Sequence, residues 1–188
     1  FDIHKVKEKY FYEINDSLLG REMLMVTRIA KTASGLGFGG GKQNTQVLRW
    51  QIKDNKILLR VVSHNVVASD SLPVNEAVLN SNFEPILYSF KIESKGIDST
   101  STLIEVTKLF NEDVKPLGFP QSRRKGYKIS SLNSEKSFIE SIKSYPENIE
   151  SRHVKTYNSS SPPSNSSTGT ISLEINNSMI LLPKTPMK

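Results

Sequence analysis

The sequence predicts a mainly β domain, either an antiparallel β-sandwich or a strongly bent sheet, with one clear helix near residues 134–144. Two observations favour this class. Short apolar and β-branched runs recur along the chain, and clusters of turn residues separate them. Helical periodicity is clear in only one stretch. The chain also has no cysteine, which excludes disulfides, thiolate metal sites and cysteine nucleophiles.

The clearest predicted element is a β-hairpin over residues 45–63. Apolar and polar residues alternate in the first half, Asp54 and Asn55 form a short turn, and residues 56–62 supply the partner strand. The same signals predict further strands at residues 10–14, 22–29, 85–93, 102–106, 149–157 and 170–182. A stretch rich in Ser, Pro and Asn, residues 158–169, predicts a long turn between the last two.

Helices are predicted to be few. Two short ones are expected at residues 73–79 and 107–111. The third, at about 134–144, has Ser134 as its N-cap and Pro146 as its stop. Its apolar stripe would consist of Phe138, Ile139, Ile142 and Tyr145.

The length of 188 residues suits a single domain, and we expect residues 1–188 to form one. The chain starts at Phe1 rather than at a methionine, and its last residues close no obvious element. We therefore expect the domain to be excised from a longer polypeptide. No apolar run approaches about 18 residues, so no membrane insertion is predicted.

Catalytic and metal-binding patterns are missing from the sequence. The three histidines, His4, His64 and His153, lie far apart, and none belongs to a His-Glu-x-x-His helix. No Gly-x-Ser-x-Gly elbow is present, and nothing singles out a carboxylate pair among the acidic residues. We therefore predict no catalytic residue, no metal ligand and no cofactor in this chain.

A basic stretch lies within residues 115–128 and contains no acidic residue. Its cationic residues are Lys115, Arg123, Arg124, Lys125 and Lys128, with Phe119 and Tyr127 as the only nearby aromatics. A solvated basic loop and a site for nucleic acid or another anionic surface both fit this pattern. We favour the loop, because nucleic-acid binders interleave more aromatic residues among their basic ones. No nucleic-acid partner is predicted.

The most unusual local feature is the glycine loop, residues 35–41, which is followed by Lys42. A strand follows it where a phosphate-binding loop needs a helix, so nucleotide binding is not expected. The loop is either a flexible connector or a place where another domain or an extended peptide approaches closely. The candidate contact residues are Gly37, Gly39, Gly40, Gly41, Gln43 and Asn44. On this interpretation the isolated loop is mobile, and valine at Gly39 and Gly40 barely changes the melting temperature.

Several segments in a fixed order resemble a family of bacterial proteins. The segments are Tyr12-Glu13-Ile14, Ser17-Leu18-Leu19-Gly20-Arg21-Glu22, Thr27-Arg28-Ile29, Gly39-Gly40-Gly41, Gln46-Val47-Leu48-Arg49-Trp50, Ile57-Leu58-Leu59-Arg60, Ala77-Val78-Leu79-Asn80-Ser81-Asn82, Pro85-Ile86, Glu105-Val106-Thr107-Lys108-Leu109-Phe110, Tyr145-Pro146-Glu147-Asn148-Ile149-Glu150, Ser178-Met179-Ile180-Leu181-Leu182-Pro183 and Pro186-Met187. Their order and spacing resemble the domain of unknown function that precedes the catalytic domain in large bacterial zinc-dependent metalloproteases.

This resemblance implies a non-catalytic scaffold that packs on the catalytic domain of its parent and lines part of the substrate cleft. The zinc and the His-Glu-x-x-His helix would belong to the downstream domain. The implied partners are that catalytic domain and a peptide substrate. The implied location is the periplasm, the outer membrane surface or the exterior. The alternative from the residues alone is a stand-alone β-sandwich module that binds carbohydrate or peptide, with Trp50 as core residue or sugar platform.

Overall fold

A computed structural model describes residues 1–69, 71–97 and 99–184. Their strands are β1 (Asp2–Val6), β2 (Lys9–Asn15), β3 (Glu22–Lys31), β4 (Lys42–Lys53), β5 (Lys56–Val62), β6 (Ile86–Lys95), β7 (Ser101–Glu105), β8 (Ile129–Leu132), β9 (Phe138–Ser144), β10 (Asn148–Ser159) and β11 (Thr170–Leu181). The α-helices are α1 (Val74–Ser81), α2 (Thr107–Asn111) and α3 (Gln121–Arg124). Single 3-10 turns occupy Asp16–Leu18, Lys115–Leu117, Ser134–Lys136 and Ser166–Thr168.

All strands belong to one antiparallel sheet of 11 strands that is not closed. Its order is β1-β2-β7-β6-β5-β4-β3-β11-β10-β8, and β9 also pairs with β10. Although β1 and β9 lie at opposite ends of this order, they approach each other: the hydroxyl of Ser144 donates to the carbonyl of Phe1 at 2.6 Å. The sheet is therefore strongly bent, and the mainly β prediction is confirmed in its bent-sheet form.

The concave face of the bent sheet carries the core. Alternate residues of β2, β3, β4 and β11 point to this face, as the two-residue period of a strand requires. Trp50 lies at the centre, fully buried, with the rings of Phe1, Tyr12 and Phe90 at 6.1, 6.1 and 5.7 Å. The short helix α2 adds its buried side chains from the open side of the bend; these are Leu109 and Phe110.

A second apolar cluster covers the far end of the same face. It joins Leu36 to Phe119 and Tyr157, with three residues of β11 beneath them. The segment between α2 and β8 crosses the concave face and carries Phe119 into this cluster. The core thus has two apolar parts, with a band of buried polar residues between them.

Most predicted strands and two predicted helices are confirmed. The hairpin of residues 45–63 is present as β4 and β5, and α1 and α2 lie where short helices are expected. Two strands, β1 and β8, were not predicted from the sequence. Pro186 and Met187, which contribute to the resemblance, lie outside the described residues.

The helix predicted near residues 134–144 is wrong. Residues 138–144 form strand β9, and Asn133 caps a single 3-10 turn at Ser134–Lys136 by accepting a bond from the amide of Lys136. Pro146 lies in the tight turn to β10, where the amide of Tyr145 donates to the carbonyl of Asn148 at 2.8 Å. A bulge opposite Arg152 and His153 breaks the alternation of β9, so its apolar spacing imitates a helix.

Because Trp50 fills the centre of the core, we expect Trp50→Ala to lower the free energy of unfolding by about 3–5 kcal/mol. The matched control is Ile52→Ala on the same strand, since Ile52 is 42% exposed and its loss should cost less than ~1 kcal/mol. Urea unfolding followed by circular dichroism measures both changes. Equal losses for the two variants would contradict this account of the core.

Candidate functional site

The candidate site is a cleft at the start of β4, beyond the point where β5 ends. It has a volume of about 360 Å³. Most of the residues that line it are polar in type: Gln43, Asn44, Gln46, Lys115, Pro116, Gly118, Pro120, Gln121 and Ser122. The cleft therefore lies between one strand of the sheet and the segment that crosses the concave face.

One side of this cleft is an unpaired strand edge. The pairing of β4 with β3 continues to Lys42, but its pairing with β5 ends at Val47 and Val62. Within the described residues, no strand pairs with 42–46 on the β5 side. The amide of Gly20 donates to the carbonyl of Trp50, so the Trp50 peptide faces β3. The alternation along a strand then directs the peptide groups of Thr45 toward the open side.

The floor of the cleft is formed by Asn44 and Gln46, which point to the concave face. The side-chain amide of Asn44 donates to the carbonyl of Pro116 at 3.3 Å. The side-chain oxygen of Gln46 is buried and has no hydrogen-bond partner. A buried acceptor without a donor is costly, so this oxygen is a point where a bound donor would be stabilised.

The wall of the cleft is held by donors from the band of buried polar residues. Thr27 donates to the carbonyl of Pro116 at 2.9 Å, and Asn177 donates to the Thr27 hydroxyl at 2.7 Å. Lys155 donates to the carbonyl of Glu112 at 2.5 Å. His153 lies 3.3 Å from the carbonyl of Leu117. The crossing segment makes no strand pairing here, so these side chains satisfy its backbone.

Burial shifts the titration of this polar band. Burial, together with the positive charge of Lys155, lowers the pKa of His153 to about 3. Burial also lowers the pKa of Lys155 to about 8, although Asp113 opposes the change. His153 is therefore a neutral donor throughout the physiological range.

The basic segment is only partly a solvated loop. Arg124 forms a two-bond ion pair with Asp113, at 2.5 and 2.7 Å, and its guanidinium lies 4.9 Å from the Tyr157 ring. Arg123 donates to the carbonyl of Leu36 at 2.8 Å. Lys115, Lys125 and Lys128 are exposed, as the sequence suggests. The two arginines have structural partners, which corrects the interpretation of the whole segment as solvated.

The glycine loop is more firmly attached to the fold than the sequence suggests. Leu36 is 5% exposed and belongs to the second apolar cluster. The amide of Gly40 donates to the carbonyl of Ile29 at 2.7 Å, and the amide of Ile29 donates to the carbonyl of Gly41 at 3.1 Å. Between these attachments lie Gly37 and Phe38, and the Phe38 side chain is 97% exposed.

The predicted contact residues divide into two groups. Gly37, Gly39, Gly40 and Gly41 lie in the loop, but Gln43 and Asn44 are the second and third residues of β4 and line the cleft. The sequence could not identify Gln46, Pro116 and Gln121 as neighbours of these two, because contacts between distant segments leave no local pattern.

The other candidate groups are placed elsewhere. His4 pairs with Glu13 at 2.8 Å, His64 pairs with Glu22 at 2.9 Å, and His153 is buried in the polar band. The described residues contain no group of three His, Cys, Asp or Glu side chains that could hold a metal ion. Trp50 has no exposed ring face, so it cannot serve as a sugar platform. No described helix has the length and apolar character needed to cross a membrane.

Comparison with sequence families finds two matches. Residues 40–188 match the family described as Domain of unknown function (DUF5117), and residues 1–32 match Domain of unknown function (DUF5118). No curated protein and no solved structure matches the chain.

The two matched regions share one sheet. Residues 1–32 contain β1, β2 and β3, and β3 lies between β4 and β11 of the second region. Tyr12, Met23 and Met25 from the first region lie in the same core cluster as Trp50 from the second. The boundary between the matches therefore does not divide the core.

Gly39 is required by the fold, contrary to the expectation from the sequence. A Cβ atom at this position would lie 2.4 Å from the carbonyl oxygen of Ala30. We expect Gly39→Ala to lower the free energy of unfolding by about 1–3 kcal/mol. The control is Gly41→Ala, whose Cβ would meet only the flexible end of Gln43 at 3.3 Å and should be tolerated. Thermal melting of both variants tests this, and equal melting temperatures would contradict it.

The polar band also predicts a pH dependence. The pKa of His153 is about 3 in the folded chain and near its ordinary 6.5 in the unfolded one, so the unfolded chain binds more protons between these values. Stability should therefore fall as the pH is lowered from about 6.5 toward 4. In His153→Gln this part of the slope should disappear, because the group that takes up the proton is gone. Urea unfolding at pH 7, 5.5 and 4.5 measures the slope, and identical slopes would contradict the assignment.

Proposed function

The chain belongs to the DUF5117 family, and we propose that it is a non-catalytic accessory domain of a bacterial zinc-dependent metalloprotease. In this role it packs on the catalytic domain and lines part of the substrate cleft. The zinc and the catalytic residues belong to the downstream domain, and the parent acts in the periplasm, at the outer membrane or outside the cell. The ordered set of segments that resembles the accessory domain of those enzymes supports this assignment.

The observation that carries the proposal is the unpaired edge of β4 beside the polar cleft. An extended peptide can add to such an edge through main-chain hydrogen bonds, whatever its side chains are. The peptide groups of Thr45 would pair with it, and its side chains would alternate between the cleft and the opposite face. A protease that acts on unfolded chains needs this kind of sequence-tolerant contact.

The polar lining suits the same ligand. The partnerless oxygen of Gln46 would accept from a donor of the bound chain, and Gln121 and Ser122 offer further polar contacts on the opposite wall. Exposed Lys115 would attract an acidic side chain or the carboxyl terminus of a peptide.

A second candidate function is a stand-alone peptide-binding module. The open edge of β4 favours it equally, since edge pairing needs no catalytic neighbour. The buried position of Trp50 gives no support to the carbohydrate version of this alternative.

The test replaces the edge donor at Thr45. Thr45→Pro removes a backbone N–H that faces the open side, whereas Thr45→Val keeps it and serves as the matched control. In the longer protein we expect Thr45→Pro to lower kcat/KM for an unfolded substrate such as casein about tenfold, the loss of roughly 1.4 kcal/mol of edge pairing. Thr45→Val should retain the activity. Equal activity of the two variants, with unchanged melting temperatures, would contradict the edge contact.

Measurements of zinc and peptide binding separate the two candidate functions. The longer protein should hold one tightly bound zinc and hydrolyse casein, and the 188-residue chain should do neither. A longer protein without zinc or hydrolysis, together with a chain that binds casein through the β4 edge, would favour the stand-alone module.

A further inference from the structure

The connection between β5 and β6 exposes an unusual amount of apolar surface. We define the α1 segment as residues 63–85, of which all but 70 are described. Among the described residues, half of the exposed large apolar side chains lie in it or directly after it: Val66, Val67, Leu72, Val74, Leu79, Phe83 and Ile86. Single exposed apolar residues are ordinary, but a concentration in one segment marks an interaction surface.

The helix within this segment has few sources of stability of its own; one is the Asn82 side chain, which donates to the carbonyl of Val78 at 2.8 Å. α1 has 8 residues, none of them buried, and no side chain caps its N-terminus. Isolated helices shorter than about 12–15 residues are marginal in water, and most helices gain stability by packing an apolar face. The helix therefore needs a partner surface for Val74 and Leu79, which are 54% and 64% exposed.

Both ends of the α1 segment are attached to the convex face of the sheet. Glu22 binds His64 at 2.9 Å and Arg49 at 2.7 Å, and Arg49 also binds Glu84 at 2.8 Å. Arg60 donates to the carbonyl of Glu84 at 2.6 Å and lies over the Phe83 ring at 4.9 Å. These contacts fix where the segment begins and ends, so its apolar residues are presented at a defined place.

The C-terminal end of the described chain lies beside the same group of ions. The amide of Leu182 donates to the carbonyl of Glu22 at 3.0 Å, and Arg21 donates to the carbonyl of Leu182 at 2.6 Å. From β11 the sheet continues through β3, β4 and β5 to β6. Four strand spacings of ~4.8 Å place the exit about 20 Å from the start of β6, where the α1 segment ends.

We propose that the α1 segment is the docking surface for the domain that follows this chain in the longer protein. This inference rests on the proposed function, which supplies that following domain, and it names the surface on which the two domains pack. A polypeptide that leaves at Leu182 reaches the α1 segment without a long linker. The partner surface should cover Leu72, Val74 and Leu79.

The charges of the segment define the partner further. Between Val61 and Lys91 the sequence has no lysine or arginine, and its charged residues there are acidic. The complementary surface therefore has an apolar centre with lysine or arginine at its rim, the usual arrangement of a domain interface.

The test compares hydrogen exchange in two proteins: the 188-residue chain and the longer protein. Amides of α1 should exchange at least ~10-fold more slowly in the longer protein, since the docked domain must open before they exchange. Leu72→Gln with Leu79→Gln should abolish this protection in the longer protein and leave the 188-residue chain unchanged. The control pair, Val6→Gln with Ile97→Gln, changes exposed apolar residues at the end of β1 and beyond the far end of β6, and it should preserve the protection.

Equal exchange of α1 in both proteins would overturn the inference, as would protection that survives the double substitution. The proposed function fails separately. If α1 is protected in a longer protein that holds no zinc and hydrolyses no casein, the docking surface is supported and the proposed protease function is wrong. If the longer protein is a zinc-dependent protease but its α1 amides are not protected, the proposed function is supported and the docking surface is wrong.

Discussion

A band of polar side chains on the concave face of the sheet holds the segment that crosses it, and the remaining architecture depends on this contact. The crossing backbone has no neighbouring strand, so its carbonyl groups must find other donors when they are buried. Thr27 supplies one of them from β3, and His153 and Lys155 supply two more from β10. A lysine without exposed surface is expensive to bury, and the drop in its pKa reflects that cost. Apolar residues in the band could not donate hydrogen bonds to these carbonyl groups, so they could not hold the segment in place.

This contact also shapes the cleft. Because Thr27 and Asn44 both donate to the carbonyl of Pro116, the crossing segment is fixed directly opposite the start of β4. Its 3-10 turn at Lys115–Leu117 places Pro116 there and turns the chain toward Phe119. The strand that would otherwise cover this end of β4 stops at Val62. The cleft is therefore the space left between a well-anchored wall and a strand edge without a neighbour.

The sequence predicted local structure better than it predicted the site. Alternation over β4 and β5 is complete and their turn is short, so the hairpin was clear. The sequence predicts a helix at β9 because β9 carries a bulge opposite Arg152 and His153, and a bulge removes the period-2 signal while leaving apolar residues three and four apart. The glycine loop remains a predicted contact site, and the structure adds a role for it within the fold. Position 39 requires glycine because the Ala30 carbonyl oxygen occupies the space that a Cβ atom would need. The amino-acid composition of the loop gives no indication of this contact.

The sequence identified only part of the lining of the candidate cleft. Gln43 and Asn44 were predicted only as neighbours of the loop, and they prove to line the cleft. For Arg124 the sequence pattern was misleading. A run of basic residues suggests side chains exposed to solvent, yet the Arg124 guanidinium is paired with Asp113 and lies over the Tyr157 ring. Its partners lie at positions 113 and 157, and pairings across such distances depend on the bend of the sheet. Sequence patterns report periodicity along one segment and carry little information about which segments meet.

One strand connects the two proposed surfaces. Arg49 binds both Glu22 and Glu84 and so anchors the α1 segment, and Thr45 stands four residues earlier on the open edge. At ~3.4 Å per residue the two positions are roughly 14 Å apart along β4. Both lie on a strand in the middle of the sheet order, with the docking surface on the convex side and the cleft on the concave side. A domain seated on α1 would therefore lie within reach of a peptide paired with the edge, and β4 would set the distance between them. Under the proposed function, this geometry would let the chain hold a substrate strand at a fixed position relative to the domain that cleaves it.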